Sequence, residues 1–552
     1  MEHRAVEVDA LPGTVFEVFS GTAARYPDHP FLHVPASACA SYAGGPLSYT
    51  YAEALDRIRA LGRAYAGTGL AAGARVALLL ENRPAFFFHW FALNSLGVSV
   101  VPLNPDYRAG EIAFVLQHSE AVAVVAVAER PAQLESALGS AGIGIPVADE
   151  AQVVEGRLRC PPTASGPAAA RGRAAECGLL YTSGTTGKPK GCILSNDYYV
   201  RAGARYANRG GYVVVEPGKA RVLTPLPLFH MNAMAGSTMG MVVSGGCVIQ
   251  LDRFHPRTWW SDVAGTRATG VHYLGVMPAI LLRLDSVPEE REHCVRYGAG
   301  ANVEPEHHAA FEARFGFPLC EGWAMTETGS GGVVSADREP RHVGTRCFGR
   351  PDPQVEVRLV DDEGRDVREG EPGELLVRRA GSDPRQGFFS GYLKDDAATQ
   401  AGWAGGWWHS GDVVRRGPDG SLHFVDRKKN VIRRGGENIS ALEVETVLLR
   451  HPAVAQVAVT AVRDELRGEE VLAFVVAAAA PAEPAGAAAA ESIVGWALRE
   501  MAYYKVPGWL AFVEKLPVTP TQKILRGELR ALAEQALKGT ACHDLRALKK
   551  RS

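Results

Sequence analysis

The chain has 552 residues, too many for one ordinary domain and enough for two or three. Hydrophobic residues make up 46% and charged residues 22%, a soluble globular composition, and a net charge of −2 argues against a protein that binds nucleic acid along its length. The stretch Met1 to Ala10 holds no apolar signal core, and no apolar run approaches the roughly 18 to 20 residues of a membrane span, so a cytoplasmic protein is expected.

Residues 15 to 160 alternate between helical and strand patterns. Tyr51 to Gly62 carries apolar residues at helical spacing, and Arg75 to Leu80 is a compact apolar run with the length of a buried strand. Phe86 to Leu96 reads as helix, Gly97 to Pro102 as strand, and Ala121 to Val127 as strand again. This alternation predicts an α/β core with parallel strands. Residues 163 to 176 have loop composition. Residues 477 to 490, almost all Ala, Pro and Gly, are expected to form an insertion or surface loop. The basic end from Arg546 to Ser552 is expected to fray. Nine scattered cysteines without a C-x-x-C pair fit a reducing compartment, and Cys192 and Cys320 read as small core residues.

The strongest local signal is Leu179-Leu-Tyr-Thr-Ser-Gly-Thr-Thr-Gly-Lys-Pro-Lys-Gly191. A short apolar strand runs into hydroxyls, glycines and lysines. Glycines let backbone N–H groups approach an anion closely. Thr182, Ser183, Thr185 and Thr186 add hydroxyl donors, Gly184 and Gly187 add backbone access, and Lys188 and Lys190 add charge. The loop suits a polyphosphate, but it is not G-x-x-x-x-G-K-[ST], because Gly184 and Gly187 are too close and Pro189 follows Lys188.

The string T-S-G-T-T-G-x-P-K-G resembles the signature loop of the adenylate-forming superfamily, which comprises acyl- and aryl-CoA ligases, peptide-synthetase adenylation domains and beetle luciferases. More motifs follow in that family's order, and the resemblance spans about residues 15 to 535. Glu321-Gly-Trp-Ala-Met-Thr-Glu327 resembles the family's Y-G-x-T-E segment. By that likeness Glu321, Gly322, Trp323 and Thr326 belong to the nucleotide site. Glu327 supplies a hard oxygen for Mg²⁺, which prefers one or two carboxylates plus phosphate oxygens. Trp323 replaces the usual Tyr and keeps a stacking face. Ala324 replaces a Gly that lines the family's acyl pocket, so the acid is expected to be small or short at that wall.

Tyr297-Gly-Ala-Gly-Ala-Asn302 resembles the adenine-side loop and brings Ala299, Gly300 and Ala301 to the nucleotide. Pro227-Leu-Phe-His-Met-Asn232 resembles the segment that gates the acid site, with His230 as the gate and catalytic candidate. Met231, Met277, Gly300, Trp323 and Ala324 are the acyl-pocket candidates. Trp407-Trp-His-Ser-Gly-Asp-Val413 resembles the T-G-D motif, whose Asp412 would accept both ribose hydroxyls. In Phe424 to Ser440, which is similar to the hinge segment, Arg427 would reach the ribose and Lys429 matches the pivot. Gly435 and Gly436 would let pantetheine pass, and Arg433 and Arg434 could meet the phosphates of CoA. Leu516 to Arg526 resembles the family's end motif, with Lys523 as the cation that holds the acid against the α-phosphate and Gln522 where the family has Gly.

The resemblance implies an α/β fold with a large N-terminal region of layered α/β subdomains, residues 1–428, and a small mobile α+β C-terminal lobe, residues 429–552. It implies ATP, Mg²⁺ and coenzyme A as cofactor and co-substrates. The expected reaction joins a carboxylic acid to AMP and then to CoA, with Lys523, Glu327, Thr186 and His230 as the acting side chains. Rival expectations are delivery to a carrier-protein phosphopantetheine, a luciferase-type oxygenase, and a silent nucleotide-binding homologue. The segment Tyr503-Tyr-Lys-Val-Pro and the T-P-T-Q-K end look most like bacterial crotonobetaine/carnitine-CoA ligases. Fatty, aryl and small branched acids all stay open, as does a homodimer.

Overall fold

The computed structural model of the chain describes residues 5–161, 172–182, 189–427, 431–478, 486–517, 526–539 and 542–550, with backbone alone for 131–133, 426–427 and 526–527. The four phosphate-loop residues Ser183 to Thr186 and their neighbours Gly187 and Lys188, the pivot Lys429, and Lys523 with Gln522 lie outside the described residues.

The expected alternation forms as read. The helix Tyr51–Ala66 opens on a capping box in which Thr50 accepts from the Glu53 N–H and Glu53 accepts in return. Its apolar stripe, Ala54, Leu55, Ile58, Leu61 and Tyr65, is buried. The helix Pro84–Ser95 is apolar on all sides and is correspondingly enclosed, with Pro84 and the nine consecutive residues from Phe86 through Asn94 almost wholly buried.

Two mostly parallel sheets carry the large region. In one, the strands Leu319–Trp323, Tyr297–Ala301, Gly270–Leu274, Arg221–Thr224, Cys247–Gln250 and Pro30–Val34 run parallel, with an antiparallel strand on each edge. In the other, Ser99–Pro102, Arg75–Leu79, Ala123–Ala126 and Val147–Ala148 are parallel, and Glu176–Thr182 leads into Lys190–Ser195 as an antiparallel pair. A third, antiparallel sheet of five strands includes Trp408–Arg416 and Leu422–Arg427. A separate sheet begins at Val431–Arg434 and belongs to the C-terminal lobe, which has its own core of Ile432, Ile439, Val444, Val471, Ile493, Val506 and Leu510 among others. The chain therefore has a large N-terminal α/β region and a small C-terminal α/β lobe. No helix among the described residues is long and apolar enough to cross a membrane.

Two expectations fail. The Ala/Pro/Gly tract is not loop throughout, because the helix Ala487–Glu500 begins inside it and buries Ala490 and Ile493. Alanine pays no side-chain entropy in a helix, so a run of it reads equally well as a first helical turn. The basic C-terminus is not frayed up to its last described residues. The strand Cys542–Asp544 pairs with Trp509–Phe512, and the Lys549 side chain is fully buried against Glu470. Cys192 and Cys320 are fully buried, and burial pushes both thiols up, as small core residues require.

Candidate active site

A cavity of about 1110 Å³ opens between the large region and the C-terminal lobe. Its walls come from the C-terminal ends of three parallel strands, the usual place for a ligand in an open α/β sheet. The strand Gly270–Leu274 contributes Leu274, Tyr297–Ala301 contributes Ala299, Gly300 and Ala301, and Leu319–Trp323 contributes Glu321, Gly322 and Trp323. Ala324 and Thr326 follow, with Ala324 exposed into the cavity. His230 and Met231 line the cavity from another segment. Met277 does not line it. It is buried in the helix Val276–Leu282, whose neighbouring residues Val276 and Ala279 face the cavity instead.

Gly300 is glycine for a packing reason. A Cβ there would lie 2.3 Å from the Tyr273 carbonyl oxygen, so the strand can carry no side chain at that point. Beyond it, Asn302 sits at φ +66°. Glu321 secures that turn by accepting from the N–H groups of Asn302 at 2.8 Å and Val303 at 3.1 Å, and from the Tyr273 hydroxyl at 2.9 Å. Burial pushes the Glu321 carboxyl up while those donors pull it down. Its carboxylate is thus taken up by the loop that shapes the adenine-side wall.

Trp323 and Asp412 meet across 89 residues of sequence: the indole Nε1–H donates to Asp412 Oδ2 at 2.8 Å. Both are buried, with Asp412 2% exposed. Ser410, standing where the resemblance expects Thr, accepts from the Asp412 N–H at 3.0 Å and donates to the Leu375 carbonyl at 2.6 Å. The hydroxyl is the part of Thr that this turn uses. Arg427 pairs in register with Asp412 on the adjoining strand.

Glu327 is 7% exposed and accepts the Tyr392 hydroxyl at 2.7 Å on one oxygen. Burial and the neighbouring carboxylate push the Tyr392 phenol up, so it remains a donor. Tyr392 is also the platform for Lys190, whose ammonium lies 4.8 Å from the ring centroid and 3.1 Å from Asp395. The strand end at Thr182 closes this corner. Among the described residues no cation pairs with Glu327. A buried carboxylate beside a phosphate-loop strand, with one oxygen fixed by a phenol, fits a single-carboxylate Mg²⁺ site. Tyr392 and Asp395 were missed in the sequence. Tyr392, directly after Gly391 in a two-residue strand, carries no local sign of its partner.

The C-terminal lobe supplies the remaining wall. The hairpin of Val431–Arg434 and Glu437–Ser440 puts Val431, Arg433, Gly435, Gly436 and Asn438 on the cavity. Glu437 Oε2 lies 3.5 Å from His230 Nε2, so the proposed gate and the hairpin face each other. Arg434 is not available to a phosphate. It is 3% exposed and donates to both oxygens of buried Glu470. Strand alternation sends Arg433 and Arg434 to opposite faces. Arg467, Arg530 and Lys538 also line the C-terminal side and were not anticipated.

A family model described as AMP-binding enzyme matches residues 19–393, and one described as AMP-binding enzyme C-terminal domain matches residues 443–523. The chain belongs to the AMP-binding enzyme family. The sulfoacetate–CoA ligase of Cupriavidus necator is 31% identical over 523 residues, 94% of this chain and 97% of that protein. The crotonobetaine/carnitine–CoA ligase of Citrobacter koseri is 30% identical over 495 residues, covering 87% and 93%. Among solved structures, a malonyl-CoA ligase in a ternary product complex with methylmalonyl-CoA and AMP superposes with a TM-score of 0.71 at 28% identity, covering 89% of this chain and 97% of that one. In this AMP-binding enzyme the large region and the small lobe thus meet at one cavity.

Proposed function

We propose that this chain is an ATP-dependent, AMP-forming acid–CoA ligase acting on a short polar carboxylic acid. The observation that carries the reading is that one cavity joins two sets of walls. The nucleotide-side set is Ala299 to Ala301 with Trp323 hydrogen-bonded to Asp412, and the other is a C-lobe hairpin that presents two glycines, Gly435 and Gly436, beside Arg433.

In the first half-reaction a carboxylate oxygen of the acid attacks the α-phosphorus of ATP. The bond to the β-phosphate breaks and pyrophosphate leaves. Hydroxyls and N–H groups from Thr182 through Gly187, with Lys190, offset the charge growing on the leaving group. Glu327 would hold Mg²⁺, which when bound neutralises phosphate charge. Asp412 and Arg427 bind the ribose, and Lys523 aligns the reacting oxygen with phosphorus. In the second half-reaction the CoA sulfur attacks the acyl carbon, the acyl–phosphate bond breaks, AMP leaves, and the thiol proton is released. The lobe turns about Lys429 between the two steps, exchanging Lys523 for the hairpin. Arg433, Arg467, Arg530 and Lys538 suit the CoA phosphates at the cavity edge.

The acid class rests on the cavity wall. Arg205, Tyr206, Asn232 and His272 line it, and Tyr206 and Ser237 hold the two ring nitrogens of His272 at 2.6 and 2.7 Å. Burial pushes His272 down to about 3, so the ring is neutral. With both His272 nitrogens already bonded, Asn232 and Arg205 are the polar side chains of this wall that a polar tail would meet. Two relatives are named for short polar acids, sulfoacetate and crotonobetaine.

ATP–pyrophosphate exchange with a panel of sulfoacetate, crotonobetaine, malonate, acetate, octanoate and benzoate tests this, with and without Mg²⁺ and with Lys523→Ala as control. Added CoA should then yield thioester and AMP. Exchange with octanoate or benzoate alone would overturn the acid class. Exchange without thioester would overturn the acceptor and favour a carrier protein. No exchange despite ATP binding would favour a silent homologue.

A further inference from the structure

Lys505 lies between the helix Ala487–Glu500 and the strand Trp509–Phe512 of the C-terminal lobe, and it is only 4% exposed. Its ammonium reaches two carboxylates. One is Glu443, at 2.7 Å, on the helix Ala441–Leu448 of the same lobe. The other is Glu111, on the helix Ala109–Ser119 of the large region. Glu111 makes a second tie across the boundary by accepting from the Ala502 N–H at 2.9 Å. A third runs beside it, where Asn104 donates to the Tyr504 hydroxyl at 3.1 Å.

The contact is joined directly to the hairpin. Ser440 ends the hairpin and caps the helix that carries Glu443, accepting from the Glu443 N–H at 3.3 Å. A force that fixes Glu443 against the large region therefore fixes the hairpin in the cavity. Charge counting separates the two carboxylates. Lys505 and Glu443 form a neutral pair inside the lobe and can travel together. Glu111 belongs to the other body, so its bond to Lys505 exists only while the lobe is docked this way.

We propose that Glu111 is a positioning residue for thioester formation, holding the hairpin 431–440 in the cavity through Lys505, and that it has no part in adenylate formation. This rests on the two-step ligase reading above. Glu111→Gln weakens a charge-assisted bond made across the boundary, while Lys505 keeps Glu443 as its counter-charge. Here the loss falls on one docked arrangement, so one half-reaction should feel it.

Glu111→Gln is the test variant, because Gln retains the capping acceptor that Glu111 offers the Arg108 N–H, and Lys505 keeps Glu443. Glu111→Lys is the second, placing a like charge beside Lys505. With an acid that supports exchange, pyrophosphate exchange should stay within about twofold of wild type. Single-turnover conversion of preformed acyl-AMP with CoA should slow roughly ten- to hundredfold, more for Lys than for Gln. Equal losses in both half-reactions, or no loss in either, would overturn the proposal. If wild type forms adenylate but no thioester, the acceptor reading falls, and lobe docking decides this one. Small-angle scattering of the ligand-free protein should then show a more extended particle for Glu111→Lys, and an unchanged particle would overturn the proposal.

Discussion

Gly436→Ala should slow thioester formation selectively, and the structure supplies the two contributions. Gly436 has φ +98°, and a Cβ built there would lie 2.3 Å from Leu274 Cδ1 and 3.3 Å from its Cγ. The left-handed backbone costs an alanine about 1–2 kcal/mol, but it does so wherever the hairpin keeps its shape. That part lowers stability and touches both half-reactions alike. The overlap with Leu274 exists only while the hairpin sits in the cavity. Relieving it means turning Leu274 out of its rotamer or lifting the hairpin, about 1–3 kcal/mol. At about 1.36 kcal/mol per decade, the CoA-dependent step alone should fall roughly ten- to hundredfold. Gly435→Ala is the matched control, since Gly435 has φ +57° with nothing within 4 Å of its built Cβ. It should share the loss of stability and show a much smaller loss of thioester formation. Single-turnover rates of adenylate formation and of adenylate consumption by CoA, measured separately, decide the matter. If Gly436→Ala slows both steps equally, or if Gly435→Ala matches it in the second step, the contact with Leu274 is not what acts.

Trp323→Phe removes the indole donor that orients Asp412 at 2.8 Å while keeping an aromatic face. AMP affinity by calorimetry should fall roughly tenfold, the range for a hydrogen bond to a charged group. Glu327→Gln should raise the Mg²⁺ concentration needed for half-maximal exchange, and Tyr392→Phe should do so less, because it removes only the phenol that fixes one Glu327 oxygen. Ala324→Gly should widen acceptance toward longer acids in the exchange panel, and an unchanged preference would count against the short wall. Lys549 is held down to about 7 by burial and by Arg434, against the pull of Glu470. An unfolded lysine keeps its proton to about 10.4. Between those values the unfolded chain binds more protons, so this residue's contribution to stability grows as pH rises through 7 toward 10. Thermal melts should therefore show wild type gaining on Lys549→Met over that interval.

Local pattern made the first 160 residues readable, because strand and helix periods differ and each segment stays in register with one of them. The walls of the cavity were readable for another reason. Tyr297 to Asn302 and Glu321 to Glu327 are contiguous strings, so their resemblance to the family's segments marks them without reference to distant partners. What was missed depends on distant partners. Tyr392 gains its role from Glu327, 65 residues away, and from Lys190. Glu111 gains its role from Lys505, 394 residues away. Arg434 and Lys549 are a different case, since a signal was present. Glu470 stands in an apolar strand, Gly468–Ala477, and is fully buried, and a buried carboxylate needs cations. Two-residue alternation already turned Arg434 away from Arg433. Giving Arg433 and Arg434 together to the CoA phosphates, and expecting the basic end to fray, overlooked both constraints.

The buried charges also suit a lobe that is to move as a unit, as the proposed alternation requires. Within it, Arg434, Glu470 and Lys549 tie the hairpin strand, the central strand and the C-terminal end to one another. Removing Glu470 would leave Arg434 as an uncompensated buried charge, so the cluster keeps the hairpin fixed to its own lobe. Across the boundary the ties are fewer and more separable. Among the described residues they include Glu111 to Lys505 and to the Ala502 N–H, Asn104 to Tyr504, His230 to Glu437, and ion pairs such as Arg283–Glu465 and Arg463–Glu306, the last two with partners 48% to 85% exposed that contribute little. Strong internal ties and weak external ones are what the proposed rotation of the lobe would require. Among the described external ties, Glu111–Lys505 is the buried one that carries charge, and it has the most at stake in where the lobe rests.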